Sequence, residues 1–286
     1  MKIRFIINPI AGTGKQKGIE NYISNHFNDY EIFYTKKIGH ASIISKEAVK
    51  NKINIVVAIG GDGTLNECMK SLVNTETALG VVPCGSGNGF ANHIGMKNNI
   101  KEAIKQIKYS KIISIDSCTI NDLPFVNVAG IGFDAHIAKL FSKSKKRGFL
   151  KYMKLILKEL MYNPQEYNIS YNTNKKKINA YMISIANASE YGNNIKIAPM
   201  ANIQDGLIDF VIVKKFPKWE IPFFLYKSYQ GKTFMSKHVD IIQTNKMQIL
   251  AENTLIHLDG EPYKTTNPIT INLLKNSLKI LKPNEK

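Results

Sequence analysis

Short apolar runs alternate with segments of helical period through the first part of the chain. Lys2 to Ile7, Glu31 to Tyr34, Ile53 to Ile59 and Leu79 to Val82 read as strands. Helices are predicted from about Gly18, from His40, from Thr64 to Val73 and from Ile100 to Tyr109. This alternation predicts a parallel α/β sheet with flanking helices, a fold that binds ligands at the carboxyl ends of its strands. After Ile112 the period changes to two. Ile112 to Ile120, Ala180 to Ala186, Leu207 to Val213, Val239 to Ile242 and Ile269 to Leu273 are separated by Asn, Gly and Pro and predict a mainly antiparallel β domain. The expected architecture is an α/β N-terminal domain over 1–111, a β-rich domain over 112–275 and a tail, 276–286, that returns to the first domain. An active-site cleft is expected between the two domains.

At 286 residues and 44% hydrophobic content the chain can fill two modest cores. Lys and Arg number 39 against 22 Asp and Glu, and the +17 balance favours polyanionic partners such as nucleotide, nucleic acid or anionic lipid. The lysines are scattered among Asn and Ile, which weakens that inference. Cys68, Cys84 and Cys118 have neither zinc spacing nor a Cys-x-x-Cys pair, so a reducing compartment is expected. The N-terminus enters a strand pattern without a signal core, and no apolar run approaches the roughly 18 residues of a membrane span. The expectation is a cytoplasmic protein, with peripheral residence on the inner face of a membrane left open.

Three glycine-rich turns follow strands. Ile59 to Glu67, Ile-Gly-Gly-Asp-Gly-Thr-Leu-Asn-Glu, lets the backbone approach an anion at a helix N-terminus. Asp62 would repel phosphate unless a cation lies between them or the carboxylate takes a proton, so it implies Mg²⁺ or base chemistry. Asn8 to Lys15 places an amide, two glycines and a lysine after the first strand, without the spacing of a P-loop. Pro83-Cys-Gly-Ser-Gly-Asn88 repeats the arrangement with Ser86 and Asn88 as short polar groups. Asp116 reads equally as a metal-directed acid or a solvent-facing residue, and Asp205-Gly206 as a hairpin turn before Leu207. Leu258-Asp-Gly-Glu261 puts two carboxylates after a strand, where one could take the proton of an attacking hydroxyl; alone, such a motif reads more readily as a surface turn.

In order along the chain these segments, with Tyr34 to His40, resemble the diacylglycerol kinase catalytic-domain family of lipid kinases, which includes bacterial diacylglycerol kinases, sphingosine kinases and ceramide kinase. The resemblance spans nearly the whole chain. It implies ATP held by Asn8, Pro9, Ile10, Ala11 and Gly12, by Thr35, by Gly61, Asp62, Gly63, Thr64, Leu65, Asn66 and Glu67, and by Ser86 and Asn88. It implies Mg²⁺ at the phosphates near Asp62 and Asp116, and a second, structural Mg²⁺ at Asn202, Asp205 and Leu207. The catalytic base falls on Asp259 or Glu261, with Asp62 a contender. Gly89 stands where bacterial diacylglycerol kinases often carry Asp, and the Pro83 to Asn88 turn looks closer to that of sphingosine and ceramide kinases.

The expected function is transfer of the γ-phosphoryl group of ATP to a lipid hydroxyl, diacylglycerol first and a sphingoid base or ceramide second. An NAD kinase-like enzyme is the rival for a soluble acceptor. A non-catalytic nucleotide- or nucleic-acid-binding regulator is favoured only by charge, and no nucleic acid is expected. Homo-oligomerisation is left open. Two segments offer lipid contact: Gly148 to Asn163, with Phe149, Met153, Ile156, Leu157 and Leu160 opposite Arg147, Lys151, Lys154 and Lys158, and Lys214 to Lys232, where aromatic residues interleave with lysines. Packing of both segments onto the β domain is the competing reading.

Overall fold

The computed structural model describes all residues except 13–15, 17, 145–147, 160 and 285–286, and the side chain of Phe149. Gly14, Lys15, Arg147 and Leu160 therefore lie outside the described residues. The chain forms two compact units, Met1–Asp116 with Lys275–Lys286, and Ser117–Leu274.

The first unit contains β1 (Ile3–Ile7), α1 (Ile19–Ser24), β2 (Tyr30–Tyr34), α2 (His40–Lys50), β3 (Ile55–Gly60), α3 (Asp62–Lys70), β4 (Ala78–Pro83), α4 (Gly89–His93) and α5 (Ile100–Tyr109). Strand β1 lies between β2 and β3, β3 continues to β4, and every pairing is parallel. Strands β1, β3 and β4 are buried along their whole length, as continuous Ile/Val runs covered on both faces must be. Because β2 and β3 flank β1 on opposite sides, the order reverses there, and the carboxyl ends of β1 and β3 form the crevice where such sheets bind ligands. Helix α5 begins where Asn99 Oδ1 accepts the backbone N–H groups of Lys101 and Glu102, and it buries Ala103, Ile104 and Ile107 on one face.

In the second unit β5 (Lys111–Ile120) enters from the first and pairs with β6 (Leu123–Phe125). There follow β7 (Val128–Gly132), α6 (Phe133–Ser142), α7 (Phe149–Lys158), β8 (Gln165–Tyr171), β9 (Asn174–Ala186), β10 (Ile208–Lys214), α8 (Ile221–Tyr229), β11 (Val239–Thr244), β12 (Lys246–Ala251), β13 (Leu255–Leu258), β14 (Glu261–Lys264) and β15 (Ile269–Lys282). Pairing among these strands is antiparallel, with β9 bonded to β7, β8 and β10, and β13 to β7 and β14. The alternating inward residues Tyr167 and Ile169, Ile183 and Ile185, Phe210 and Ile212, and Met247 and Ile249 fill one core.

An α/β domain followed by a mainly β domain is the expected fold. The differences have local causes. Helix α3 starts at Asp62, two residues before the predicted Thr64, because Gly61 is extended and already accepts the first helical bond from Leu65. Strand β15 runs on to Lys282, and Ile280 pairs with Leu79 of β4. Asp205 does not head a hairpin: Asn202 Oδ1 accepts from Gln204 N–H and Asp205 Oδ1 from Leu207 N–H, so each side chain closes a turn in an irregular loop. Helices α6 and α8 are unanticipated; in α8 aromatic residues crowd the sequence and hide the helical period.

Candidate functional site

The three glycine-rich turns meet in the first unit. Asn8 Nδ2 donates to Thr64 Oγ1 at 3.0 Å, and Asn8 N–H donates to Ile59 O, so the end of β1 is tied to the turn after β3. Cys84 N–H donates to Gly60 O at 2.7 Å, which joins the turns after β3 and β4. A Cβ on Gly12 would lie 1.9 Å from Cys84 O, and one on Gly85 would lie 2.7 Å from Gly61 Cα. The glycines are therefore required by backbone packed on backbone, and Gly12 also adopts a φ of +63°. Thr35 N–H donates to Ile7 O, which sets the end of β2 beside the same crevice. Gln16, buried and not anticipated from the sequence, donates to both Asn8 O and Ala11 O and holds the first turn in shape.

Asp62 occupies the first turn of α3, and its Oδ2 accepts the Asn88 N–H at 2.9 Å. The acid thus bridges two of the turns. Asn88 has a φ of +56°, and its side chain closes its own loop on Gly85 N–H and Gly85 O. Ser86 is exposed. Burial pushes the Cys84 thiol up to about 11, so it is a neutral wall of this crevice rather than a nucleophile.

Three predicted ligands lie within α3. Leu65 and Asn66 are buried, and Glu67 accepts the backbone N–H groups of Gly39 and Ala41, at 2.8 and 3.1 Å, at the start of α2. Glu67 is a helix-capping residue; its carboxylate meets the open N–H groups of α2. Ile10 is 88% exposed. Asp116 is buried and accepts Asn276 N–H at 2.8 Å, so a purely solvent-facing role is excluded.

In the second unit Asp259 and Gly260 form a two-residue turn between β13 and β14, with φ of +50° and +87°. Asp259 is buried, and its two oxygens accept Asn127 N–H at 2.9 Å and Val126 N–H at 3.3 Å. Glu261 is half-buried at the head of β14. The exposed loop residues Asn202, Asp205 and Leu207 offer only oxygen donors, the chemistry that Mg²⁺ prefers. Among the described residues no three His, Cys, Asp or Glu side chains group as a metal cluster.

The same unit encloses a cavity of about 110 Å³, lined by apolar residues of α6, α7, α8, β9 and β10, among them Ile137, Ile156, Met182, Val213, Phe216 and Phe224. Asp134 also lines it, and burial followed by the Asp134 charge pushes the Tyr162 phenol up to about 12. Sequence reasoning missed both the cavity and Asp134; the close pair Gly130 and Gly132 before Asp134 was the available signal.

Residues 2–120 match the model of the diacylglycerol kinase catalytic domain, and residues 127–282 that of the YegS C-terminal NAD kinase beta sandwich-like domain. The chain belongs to the YegS-like bacterial lipid kinase family. It is 30% identical over 231 residues to the Shewanella frigidimarina protein named "Probable lipid kinase YegS-like", covering 77% of this chain and 74% of that one. With the diacylglycerol kinase of Bacillus subtilis it shares 27% identity over 274 residues, 91% of this chain and 89% of that one. A crystal structure of a diacylglycerol kinase from Bacillus anthracis str. Sterne superposes with a TM-score of 0.77 at 23% identity, covering 98% of this chain and 96% of that chain, which supports the fold. Like other YegS-like lipid kinases, this protein is an ATP-dependent phosphotransferase.

Proposed function

We propose that the chain phosphorylates diacylglycerol to phosphatidic acid. The observation that carries the acceptor class is the apolar cavity of the second unit, which fits hydrocarbon and offers little to a soluble acceptor such as NAD. The 27% identity with the Bacillus subtilis diacylglycerol kinase favours a glycerolipid over a sphingoid base.

In this reading the turns of the first unit hold the triphosphate. Their backbone N–H groups and the N-terminus of α3 face the phosphates, and Asn8 and Ser86 donate to phosphate oxygens. Asp62 and Asp116 would hold a cation at the phosphates, and Asn202, Asp205 and Leu207 would hold a structural one. Magnesium, when bound, spreads the charge that the phosphoryl group develops during transfer. Glu261 takes the proton of the lipid hydroxyl. Asp259 is less suited to that task, because both its oxygens already accept backbone N–H groups and so shape the turn. Offering diacylglycerol, sphingosine, ceramide and NAD in parallel with Mg²⁺-ATP tests the assignment: diacylglycerol should give the highest kcat/KM, and preferential turnover of NAD contradicts it.

Access to lipid follows from the surface around the cavity. Helices α7 and α8 turn Ile156, Phe224 and Leu225 inward to line it. Outward they carry Leu157, Phe223 and Tyr226, with Trp219 and Met161 beyond their ends; Trp219 is 70% and Met161 76% exposed. Leu157, counted with the inward stripe in the sequence, lies on this outer face. Lys218 Nζ lies 3.0 Å from Met161 Sδ, which brings the two segments together, and Lys154, Lys158, Lys215 and Lys227 add positive charge. This face suits an anionic bilayer. Among the described residues no helix is long and apolar enough to cross a membrane. Binding to phosphatidylglycerol vesicles should weaken several-fold, roughly, between low and physiological salt, and should fall further when Trp219 and Phe223 are replaced by Ala. Equal binding to neutral and anionic vesicles contradicts the electrostatic part.

A further inference from the structure

One buried acid has no part in the scheme above. Asp134, in the first turn of α6, is 5% exposed and lines the apolar cavity. Its Oδ1 accepts the Ala135 N–H at 2.8 Å. Around Oδ2 stand Tyr191 Oη at 2.9 Å, His257 Nε2 at 3.2 Å and Ser184 Oγ at 3.4 Å. The carboxylate fills the space over Gly130, where a Cβ would lie 2.0 Å from Oδ2, and Gly130 pairs with His257 in the β7–β13 ladder.

His257, 2% exposed, also faces the catalytic turn: its Nδ1 lies 3.3 Å from Gly260 N–H. A backbone N–H can only donate, so Nδ1 is the acceptor and the ring proton sits on Nε2, directed at Asp134. A continuous path thus runs from the cavity wall through Asp134 and the His257 ring to Gly260, between Asp259 and Glu261.

We propose that Asp134 and His257 form a positioning couple for lipid phosphorylation, in which the cavity-lining carboxylate fixes the His257 tautomer and ring, and the ring in turn fixes the turn that presents Glu261. Neither residue touches the reacting atoms; both act through Gly260. The inference rests on the assignment of Glu261 as the proton acceptor of a lipid kinase.

The Asp134→Asn variant separates this role from simple structural support. At Oδ1 the partner is a backbone N–H, which cannot reverse. The three partners at Oδ2 are two hydroxyls and an imidazole, and each can exchange donation for acceptance. The new amide NH₂ therefore takes the Oδ2 position and drives the ring proton of His257 to Nδ1, against Gly260 N–H. His257→Gln keeps a donor toward Asp134 and loses the acceptor for Gly260. His257→Asn keeps an acceptor near Nδ1 and loses the donor.

The test measures kcat, both KM values, the thermal midpoint and the ring-nitrogen NMR shifts of His257. Asp134→Asn should move the ring proton to Nδ1 and lower kcat by about tenfold or more, with KM for ATP and diacylglycerol changed by less than about threefold. His257→Gln should lose kcat comparably, and His257→Asn should retain more of it. Wild-type kcat per folded molecule in Asp134→Asn and His257→Gln, or losses that only follow the thermal midpoint, would overturn the couple. A wild-type protein inactive on lipid sinks the underlying kinase reading instead, and the tautomer measurement does not depend on turnover.

Discussion

Replacing Asp62 by Asn should lower phosphoryl transfer by about a thousand-fold, while the thermal midpoint and the far-ultraviolet spectrum should stay close to wild type. The asymmetry follows from what the carboxylate does in the fold and what it does for the reaction. In the fold its Oδ2 accepts the Asn88 N–H, and an Asn side chain can present its carbonyl oxygen to the same donor. In the proposed reaction the missing quantity would be a negative charge beside the phosphates, where the carboxylate would help to hold a cation. An amide cannot supply it. Rates measured with ATP in excess, beside a direct measurement of nucleotide affinity, separate the two roles: kcat should fall far more than affinity. Near-normal turnover would remove Asp62 from the mechanism.

The second large effect divides the two acids of the turn after β13. Glu261→Gln should lower kcat by about two to three orders of magnitude, as loss of a general base does, with little change in stability, because Glu261 is half-buried at the head of a strand. Asp259→Asn should act mainly on the fold. Its two oxygens accept Val126 N–H and Asn127 N–H, so an amide must set its NH₂ against one of those donors, a cost of about 1–3 kcal/mol. Denaturant titration of both variants beside their kcat values gives the comparison. If Asp259→Asn folds as well as wild type and loses more turnover than Glu261→Gln, the two roles are exchanged.

The meeting of the three turns was legible in the sequence because each combines a strand end with glycines, and the structure packs them on one another. The packing behind it is stricter than the motifs suggest: Gly12 against Cys84 O, and Gly61 against Gly85, leave no room for a side chain. Glu67 illustrates the limit. The resemblance implied that it holds nucleotide, and only the three-dimensional position of α2 reveals that its carboxylate also meets the N-terminus of that helix. The second unit was harder to read. Helix α8 is apolar on its cavity face and aromatic on its outer face, so the contrast of an amphipathic period is lost. Asp134 and His257 lie 123 residues apart, and their pairing arises from the β7–β13 ladder, a long-range register that local pattern does not encode.

The most direct measurement is the amount of lipid phosphate formed per ADP released, by purified protein with Mg²⁺ and γ-labelled ATP, with and without diacylglycerol. The reading predicts one labelled phosphatidic acid for each ADP and little ADP when lipid is omitted. ADP release that ignores lipid, or label recovered in a soluble acceptor offered in the same reaction, would contradict it.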